Sequence, residues 1–127
     1  MPLPPLFDGV PYEYASVVEA GSFIFTAGVC PINAAAEVQA IGDVVGQAHV
    51  ACDNLQAVLA RYGAEARHLV KTTVYVVGTR DEVVAAWAAV AERLLPYRPP
   101  STLVGVTTLG YPNQLIEIEG IAALPHG

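Results

Sequence analysis

Two carboxylates near the end of the chain are the side chains best placed to do chemistry. Glu117 and Glu119 lie within the apolar run 115–122, which reads LIEIEGIA. Residues two apart in a β-strand point to the same side, so the two glutamates share a face with Leu115 and Ile121. A core face rarely carries two charges, and a solvated face is rarely flanked by large aliphatic residues. The pattern therefore predicts the wall of a cleft or an interface between subunits.

The two glutamates are expected to have different roles. A carboxylate held near a reacting atom can act as a general base. We expect Glu117 either to position a water molecule in this way or to serve as a structural hydrogen-bonding residue at a subunit interface. Glu119 fits a structural role better, paired across strands with Lys71.

The composition indicates a folded chain that associates with copies of itself. The 127 residues fit one domain, 1–127, and the 54% apolar and 14% charged fractions exclude disorder. A monomer of this size buries only about two-thirds of its surface, so this apolar content predicts an oligomer. The net charge of −6 argues against a nucleic-acid partner, because phosphate binding needs a basic patch. No apolar run approaches the roughly 20 residues of a membrane span, so no membrane partner is expected.

The cysteines and histidines show no metal or cofactor pattern. Cys30 and Cys52 form no metal-binding or redox spacing, which favours reduced thiols that pack as small apolar residues. His49, His68 and His126 have no partner at metal or triad spacing. We therefore expect no metal and no cofactor. Reduced thiols, together with an N-terminus that lacks a signal-peptide pattern, favour a cytoplasmic protein.

Periodicity and turn residues predict an α+β fold with the element order β-β-α-β-α-β-β. Strands are expected at 14–20, 23–27, 69–77 and twice within 98–124, and helices at 43–62 and 79–95, after an extended N-terminal segment at 1–13. Asp43 and Thr79 supply helix caps, and Glu82 completes a capping box. Gly21 and Ser22 are expected to form the first turn. Both helices should pack on one face of one mixed sheet, which leaves the other face to be closed by other copies of the chain.

Four segments carry a family resemblance through their order and spacing. They are FTAGVCP at 25–31, QAHVACDNLQAVL at 47–59, VKTTVYV at 70–76 and IEIEGIA at 116–122. Together they resemble the RidA (YjgF) family, formerly called endoribonuclease L-PSP, over roughly residues 12–124. The resemblance implies a chorismate-mutase-like fold and a homotrimer with three clefts between subunits. It also implies hydrolysis of small enamines and imines to a carbonyl product and ammonia, without a cofactor.

The same resemblance assigns the expected site. Glu117 takes the position of the family's water-positioning glutamate, and Tyr14 takes that of a tyrosine in the pocket. Ala27 stands at the position of a serine and so lacks its hydroxyl. Gly28 takes the position of a glycine, where we expect a backbone requirement: a positive φ or a close approach.

One position departs from the family's deaminases. Thr102 stands where those enzymes have an arginine that binds the substrate carboxylate, so the chain resembles a branch without this arginine. A guanidinium offers a bidentate, charge-assisted pair, whereas a threonine hydroxyl offers one neutral hydrogen bond. We expect the Thr102 hydroxyl and the backbone of Val104 to contact the substrate instead. Arg98, four residues upstream, is an alternative source of positive charge.

These observations favour a trimer whose small-molecule clefts hydrolyse a small imine, enamine or related carbonyl compound. The alternative is a non-catalytic trimer that binds small ligands or acts like a chaperone, which the absence of the arginine favours. Endoribonuclease activity has the least support, because the chain is acidic and has no histidine-lysine constellation.

Overall fold

The structure, a computed structural model, describes residues 21–125. Its elements are β1 (Gly21–Phe25), α1 (Val44–Arg61), a short 3-10 helix (Ala66–His68), β2 (Leu69–Val77), α2 (Arg80–Arg93), β3 (Ser101–Val106) and β4 (Ile116–Pro125). The N-terminal segment at 1–13 and the strand predicted at 14–20 lie outside the described residues, as do Tyr14 and His126.

The four described strands form one mixed sheet in the order β1-β4-β2-β3. β4 runs antiparallel to β1 and β2, whereas β3 runs parallel to β2. α2 connects this parallel pair, and α1 and α2 contact each other and the sheet. The predicted α+β class, with two helices on one face of a mixed sheet, is confirmed. The last two strands are not neighbours in the sheet, because β2 lies between them.

α1 begins at its predicted cap and buries one apolar stripe. The Asp43 side chain accepts a hydrogen bond from the amide of Gly46 at 2.9 Å. The stripe that faces the sheet is formed by Val44, Ala48, Ala51, Cys52, Leu55 and Leu59, all of them buried. Gly63 follows the helix end with a φ of +79°, a conformation that glycine adopts readily.

α2 begins with the predicted capping box. The Thr79 hydroxyl accepts from the Glu82 amide at 3.3 Å, and the Glu82 carboxylate accepts from the Thr79 amide at 2.9 Å. These hydrogen bonds lower the pKa of Glu82, because they stabilise its ionised form. Within residues 21–125, no helix is long and apolar enough to cross a membrane.

β1 begins earlier than predicted. Gly21 and Ser22, expected in a turn, are its first residues and pair with Pro125 and Leu124 of β4. The expectation was wrong because pairing with a strand a hundred residues away holds this Gly-Ser pair extended, against its local turn preference.

β4 sorts its side chains as the alternation predicts. Ile116 and Ile118 are fully buried on the helix side, together with Ala122. Glu117 and Glu119 point to the other side, where they are half-buried. Burial of the aliphatic set fixes the register, since a slip by one residue would send every side chain to the wrong face.

The sheet side away from the helices is here called the open face. Its residues include Phe23, Phe25, Lys71, Thr73, Tyr75, Thr102, Val104, Glu117, Glu119 and Ile121. Among the elements described, neither helix covers this side, and Phe23 and Phe25 are 51% and 72% exposed. Adjacent exposed aromatic rings on a sheet are typical of an interaction surface.

Candidate active site

Both carboxylate oxygens of Glu117 are placed by neighbouring groups. Oε1 accepts a hydrogen bond from the thiol of Cys30, with the sulfur 3.4 Å away, and another from the side-chain amide of Gln114 at 3.4 Å. Oε2 lies against the backbone of Gly28. The carboxylate is therefore held by its first oxygen, while its second oxygen faces a residue that has no side chain.

An irregularity after β1 brings the chain to Glu117. Phe25 pairs with Ile121, but Val29 pairs with Ile118. Four positions along the segment from Phe25 to Val29 thus match three positions along β4. The segment after β1 therefore contains one extra residue, which is a β-bulge. Bulges re-aim side chains and backbone locally, and this one directs the following residues toward Glu117.

Glycine at position 28 is required by a close approach. A Cβ added to Gly28 would lie only 2.4 Å from both Cδ and Oε2 of Glu117. Carbon atoms never approach that closely without a shift, so any larger residue displaces the carboxylate. The positive-φ glycines of the described chain are Gly42, Gly63 and Gly78. Gly28 was expected to have either a positive φ or a close approach to another part of the chain, and the structure shows the close approach.

The segment after the bulge is tied to α1. The side-chain amide of Asn54 donates to the carbonyls of Cys30 and Ile32, both at 2.8 Å. On the other side, the amide of Val29 donates to the carbonyl of Ile118 on β4 at 2.7 Å. The backbone that carries the Cys30 thiol is thus fixed from two directions.

Two buried glutamines fix the loop before β4. Gln114 is 3% exposed and donates to the carbonyl of Ile116 at 3.0 Å. Gln47 of α1 is fully buried, accepts from the amide of Leu115 at 2.8 Å and donates to the carbonyl of Asn113 at 2.9 Å. Because buried polar groups need partners, these contacts hold the loop in one conformation.

Cys30 is a polar partner in this site. Burial, the hydrogen bond to Glu117 and the negative charge of that carboxylate raise the pKa of the Cys30 thiol from 9.0 to about 11. The thiol therefore stays protonated at neutral pH and can donate. The expectation that both cysteines are buried apolar residues holds for Cys52, which is 1% exposed. It is wrong for Cys30, because the bulge turns this side chain toward a carboxylate.

The residues expected to contact substrate from β3 lie away from Glu117 within one chain. Thr102 and Val104 pair with Thr73 and Tyr75 of β2. Since β2 separates β3 from β4, two strand spacings of about 5 Å each lie between them and Glu117. Within one chain, Thr102 and Val104 therefore do not contact Glu117 directly.

Other polar pairs occupy the open face. The hydroxyl of Tyr75 donates to Glu119 at 2.5 Å, and this hydrogen bond raises the pKa of Tyr75. The ammonium of Lys71 donates to the hydroxyl of Thr102 at 2.6 Å. The expected pairing of Glu119 with Lys71 is wrong, because the lysine reaches toward β3, while Tyr75 is the partner of the glutamate.

A groove of about 810 Å³ runs between the segment after β1 and α1. Its walls include Ala27, Gly28, Cys30, Asn54, Arg61 and Tyr111. The volume falls within the range of small-molecule sites, and the Gly28 and Cys30 walls are the residues that contact Glu117. A smaller hollow of about 240 Å³ lies on the open face beside Lys71 and Glu119.

Of the residues expected in the site, the structure brings Gly28 to Glu117 and places Ala27 beside it on the groove. Sequence reasoning missed Cys30 and Gln114, whose contact with the carboxylate no local pattern reveals. It also missed Gln47, although a polar residue on the apolar stripe of α1 is a usable signal. Within residues 21–125, no three His, Cys, Asp or Glu side chains are grouped so that they could hold a metal ion.

The fold and the site together define an α+β protein with a half-buried, hydrogen-bonded carboxylate on its sheet, and comparisons identify its family. Residues 10–124 match the sequence model of the family described as Endoribonuclease L-PSP. A RutC family protein of Haemophilus influenzae is 36% identical over 116 residues, which cover 86% of this chain and 85% of that protein. The 2-iminobutanoate/2-iminopropanoate deaminase of Escherichia coli K12 is 35% identical over 113 residues, with the same two coverages of 86% and 85%.

Solved structures agree with this assignment. YyfB from Yersinia pestis, of the conserved Rid protein family, superposes with a TM-score of 0.84 at 28% identity, covering 94% of this chain and 92% of that one. The chain therefore belongs to the endoribonuclease L-PSP family, which is the RidA (YjgF) family that its sequence resembles.

Replacing Gly28 with alanine should expose the steric conflict. The added methyl group overlaps the Glu117 carboxyl, so Gly28→Ala should lower the free energy of unfolding by about 1–3 kcal/mol. In a Glu117→Ala background the same substitution should lower the free energy of unfolding much less, because the carboxyl group that clashes with the added methyl group is absent. Denaturant unfolding at one fixed protein concentration measures both values. Gly105→Ala is the matched control: nothing lies within 4 Å of its added Cβ, so about 0.5 kcal/mol or less is expected. An equal cost of Gly28→Ala in both backgrounds contradicts the proposed contact.

Proposed function

We propose that this chain forms a cytoplasmic homotrimer that hydrolyses small imines or enamines to a carbonyl product and ammonia, in clefts between subunits and without a cofactor. The observation that carries the proposal is the half-buried Glu117 carboxylate, which is held by Oε1 and whose Oε2 lies against Gly28, one of the residues that line the groove. A carboxylate that is held in one orientation can orient a water molecule for attack.

The proposed chemistry needs only water and this carboxylate. Oε2 accepts a hydrogen bond from water, whose oxygen attacks the imine carbon and forms the new C–O bond. The C=N π electrons move to nitrogen, and Glu117 relays the water's proton to that nitrogen. When the resulting carbinolamine collapses, its hydroxyl proton passes through Glu117 to the amino nitrogen, the C–N bond breaks, ammonia leaves, and the C–O bond becomes the carbonyl. The relative from Escherichia coli is named for a deaminase reaction on two imino acids, which supports this reaction class.

A substrate carboxylate needs a partner other than the arginine of the family's deaminases, because this chain has Thr102 at that position. We propose that the carboxylate binds to Thr102 and to the backbone of Val104 of a neighbouring subunit. The ammonium of Lys71, 2.6 Å from the Thr102 hydroxyl, adds positive charge at this position. A single ammonium is a point charge without the two-pronged geometry of a guanidinium, so orientation of a carboxylate should be weaker here. Substrates without an α-carboxylate are then less disfavoured.

A second candidate is a trimer that binds small ligands without turnover. The observation that favours it is the pair of changes at Thr102 and Ala27, where the resemblance places an arginine and a serine in active deaminases. Such a protein would retain the groove and bind carbonyl compounds. Its ligand affinity would then be the same after Glu117→Gln.

Removing the Glu117 carboxylate should abolish turnover. Glu117→Gln keeps the shape but cannot accept a proton, so kcat should fall by about 10²- to 10⁴-fold on the best of a panel of small imines generated in solution. Glu119→Gln makes the same change two residues along β4 and should stay within a few-fold of the unsubstituted protein. Thr102→Arg should raise kcat/KM for imines that carry an α-carboxylate. Equal rates for Glu117→Gln and the unsubstituted protein on every imine rule out the hydrolase; saturable carbonyl binding in that case selects the second candidate.

The trimer should depend on the aromatic part of the open face. Phe25→Asp places a charge on a surface that other copies are proposed to cover, so the assembly should dissociate toward the 13.3 kDa chain. Light scattering coupled to size-exclusion chromatography measures the mass, with three times the chain mass expected for the unsubstituted protein. Ile41→Asp, at a residue that is 65% exposed in a loop, is the control and should leave the mass unchanged. A monomeric unsubstituted protein, or an intact Phe25→Asp trimer, contradicts this assembly.

A further inference from the structure

We infer that Cys30 and Gln114 are positioning residues that occupy Oε1 of Glu117, so that Oε2 alone is left to orient the attacking water. The inference rests on the proposed hydrolysis and adds which oxygen acts and which residues select it. No pattern in the sequence indicates that either residue belongs to the site, and neither is among the site residues that the family resemblance assigned.

The two donors converge on one oxygen. The Cys30 sulfur and the Gln114 amide nitrogen each lie 3.4 Å from Oε1. A carboxylate oxygen has two lone-pair directions for hydrogen bonds, so two donors leave Oε1 with little capacity for water. Within residues 21–125, no side chain or amide donates a hydrogen bond to Oε2, whose neighbour is the backbone of Gly28. The geometry thus makes the two oxygens unequal.

Each donor is itself held. Gln114 is nine-tenths buried or more; its amide oxygen accepts from the Tyr111 amide at 3.1 Å, and its nitrogen also donates to the Ile116 carbonyl. The backbone of Cys30 is fixed by Asn54 at 2.8 Å. A donor with a fixed origin orients its acceptor, whereas a mobile one would follow it.

The thiol acts as a donor and not as a nucleophile. With its pKa raised to about 11, almost all of the Cys30 side chain is S–H at neutral pH. Among the described residues, Glu117 is the titratable group that affects the pKa of Cys30. A protonated thiol can hold the ionised carboxylate without being alkylated or oxidised readily, which suits a permanent positioning role.

The contact can be tested without any enzyme assay. In a Cys52→Ala background, the ¹³Cβ shift of Cys30 reports its ionisation as the pH is raised. Replacing Glu117 by glutamine removes the negative charge, so the Cys30 titration should move to lower pH. Glu119→Gln, on the same strand, should move it much less. A Cys30 titration that is identical with and without the Glu117 charge overturns the inference.

The positioning role is tested by kinetics on the best imine substrate. Cys30→Ala removes the donor and should lower kcat by about five- to tenfold with little change in KM, while Cys30→Ser restores an O–H donor and should recover most of the rate. Gln114→Met should lower kcat in the same direction. In a Glu117→Gln background, Cys30→Ala should have no further effect, because it acts through the carboxylate. Cys52→Ala, buried in α1, is the control and should keep the full rate.

The outcomes separate the two levels of the account. If Glu117→Gln lowers the rate and Cys30→Ala does not, the inference fails while the proposed hydrolysis stands. If Cys30→Ala lowers the rate equally with and without the Glu117 carboxylate, Cys30 acts by another route and the inference also fails. If Glu117→Gln changes no rate, the hydrolysis fails and takes the positioning role with it, whatever the thiol titration reports.

Discussion

The close approach of the Glu117 carboxylate to the backbone at Gly28 is the contact on which the site depends. A half-buried carboxylate is costly unless it is hydrogen-bonded, and a strand side chain at a sheet face has rotational freedom unless something restricts it. The bulge after β1, the missing side chain at Gly28 and the two donors on Oε1 restrict it together. The bulge, Gly28 and Cys30 belong to the segment after β1, Gln114 belongs to the loop before β4, and all of them meet at one oxygen pair.

The two sides of the sheet have separate tasks. The helix side buries Ile116, Ile118 and their neighbours and gives β4 a fixed register. This register sends Glu117 to the other side, where stability alone would not place a charge. The open face, with Phe23 and Phe25, is then available for association with other copies of the chain. Fold stability and the position of the carboxylate therefore follow from one alternating strand.

Local signals in the sequence predicted the parts of the fold that are local. The caps at Asp43 and Thr79 and the alternation of β4 are set by residues within a few positions of each other, so they could be predicted and are confirmed. The strand at Gly21 and Ser22 could not, since its partner lies at the opposite end of the chain. The insertion of β2 between β3 and β4 is likewise a property of the assembled sheet.

The residues of the site could be predicted only where a local signal or the family resemblance indicated them. Glu117 stands out because a charge interrupts an aliphatic strand, and Gly28 was reached through the family resemblance. The Cys30 contact joins residues 87 positions apart and depends on a bulge that no residue type announces. Gln47 is intermediate: its polarity on the apolar stripe of α1 marks it as a residue with a buried partner, but that partner, the loop before β4, comes from the fold.

A crystal structure of the assembled protein with a bound 2-oxo acid or neutral carbonyl analogue tests the central claim most directly. The account predicts a water molecule about 2.6–3.2 Å from Oε2 of Glu117 and directed at the carbonyl carbon, with Cys30 and Gln114 on Oε1. It also predicts Thr102 of a neighbouring subunit at the far end of the analogue. An analogue bound away from Glu117, or a carboxylate turned so that Oε2 contacts no water near the carbonyl carbon, would contradict it.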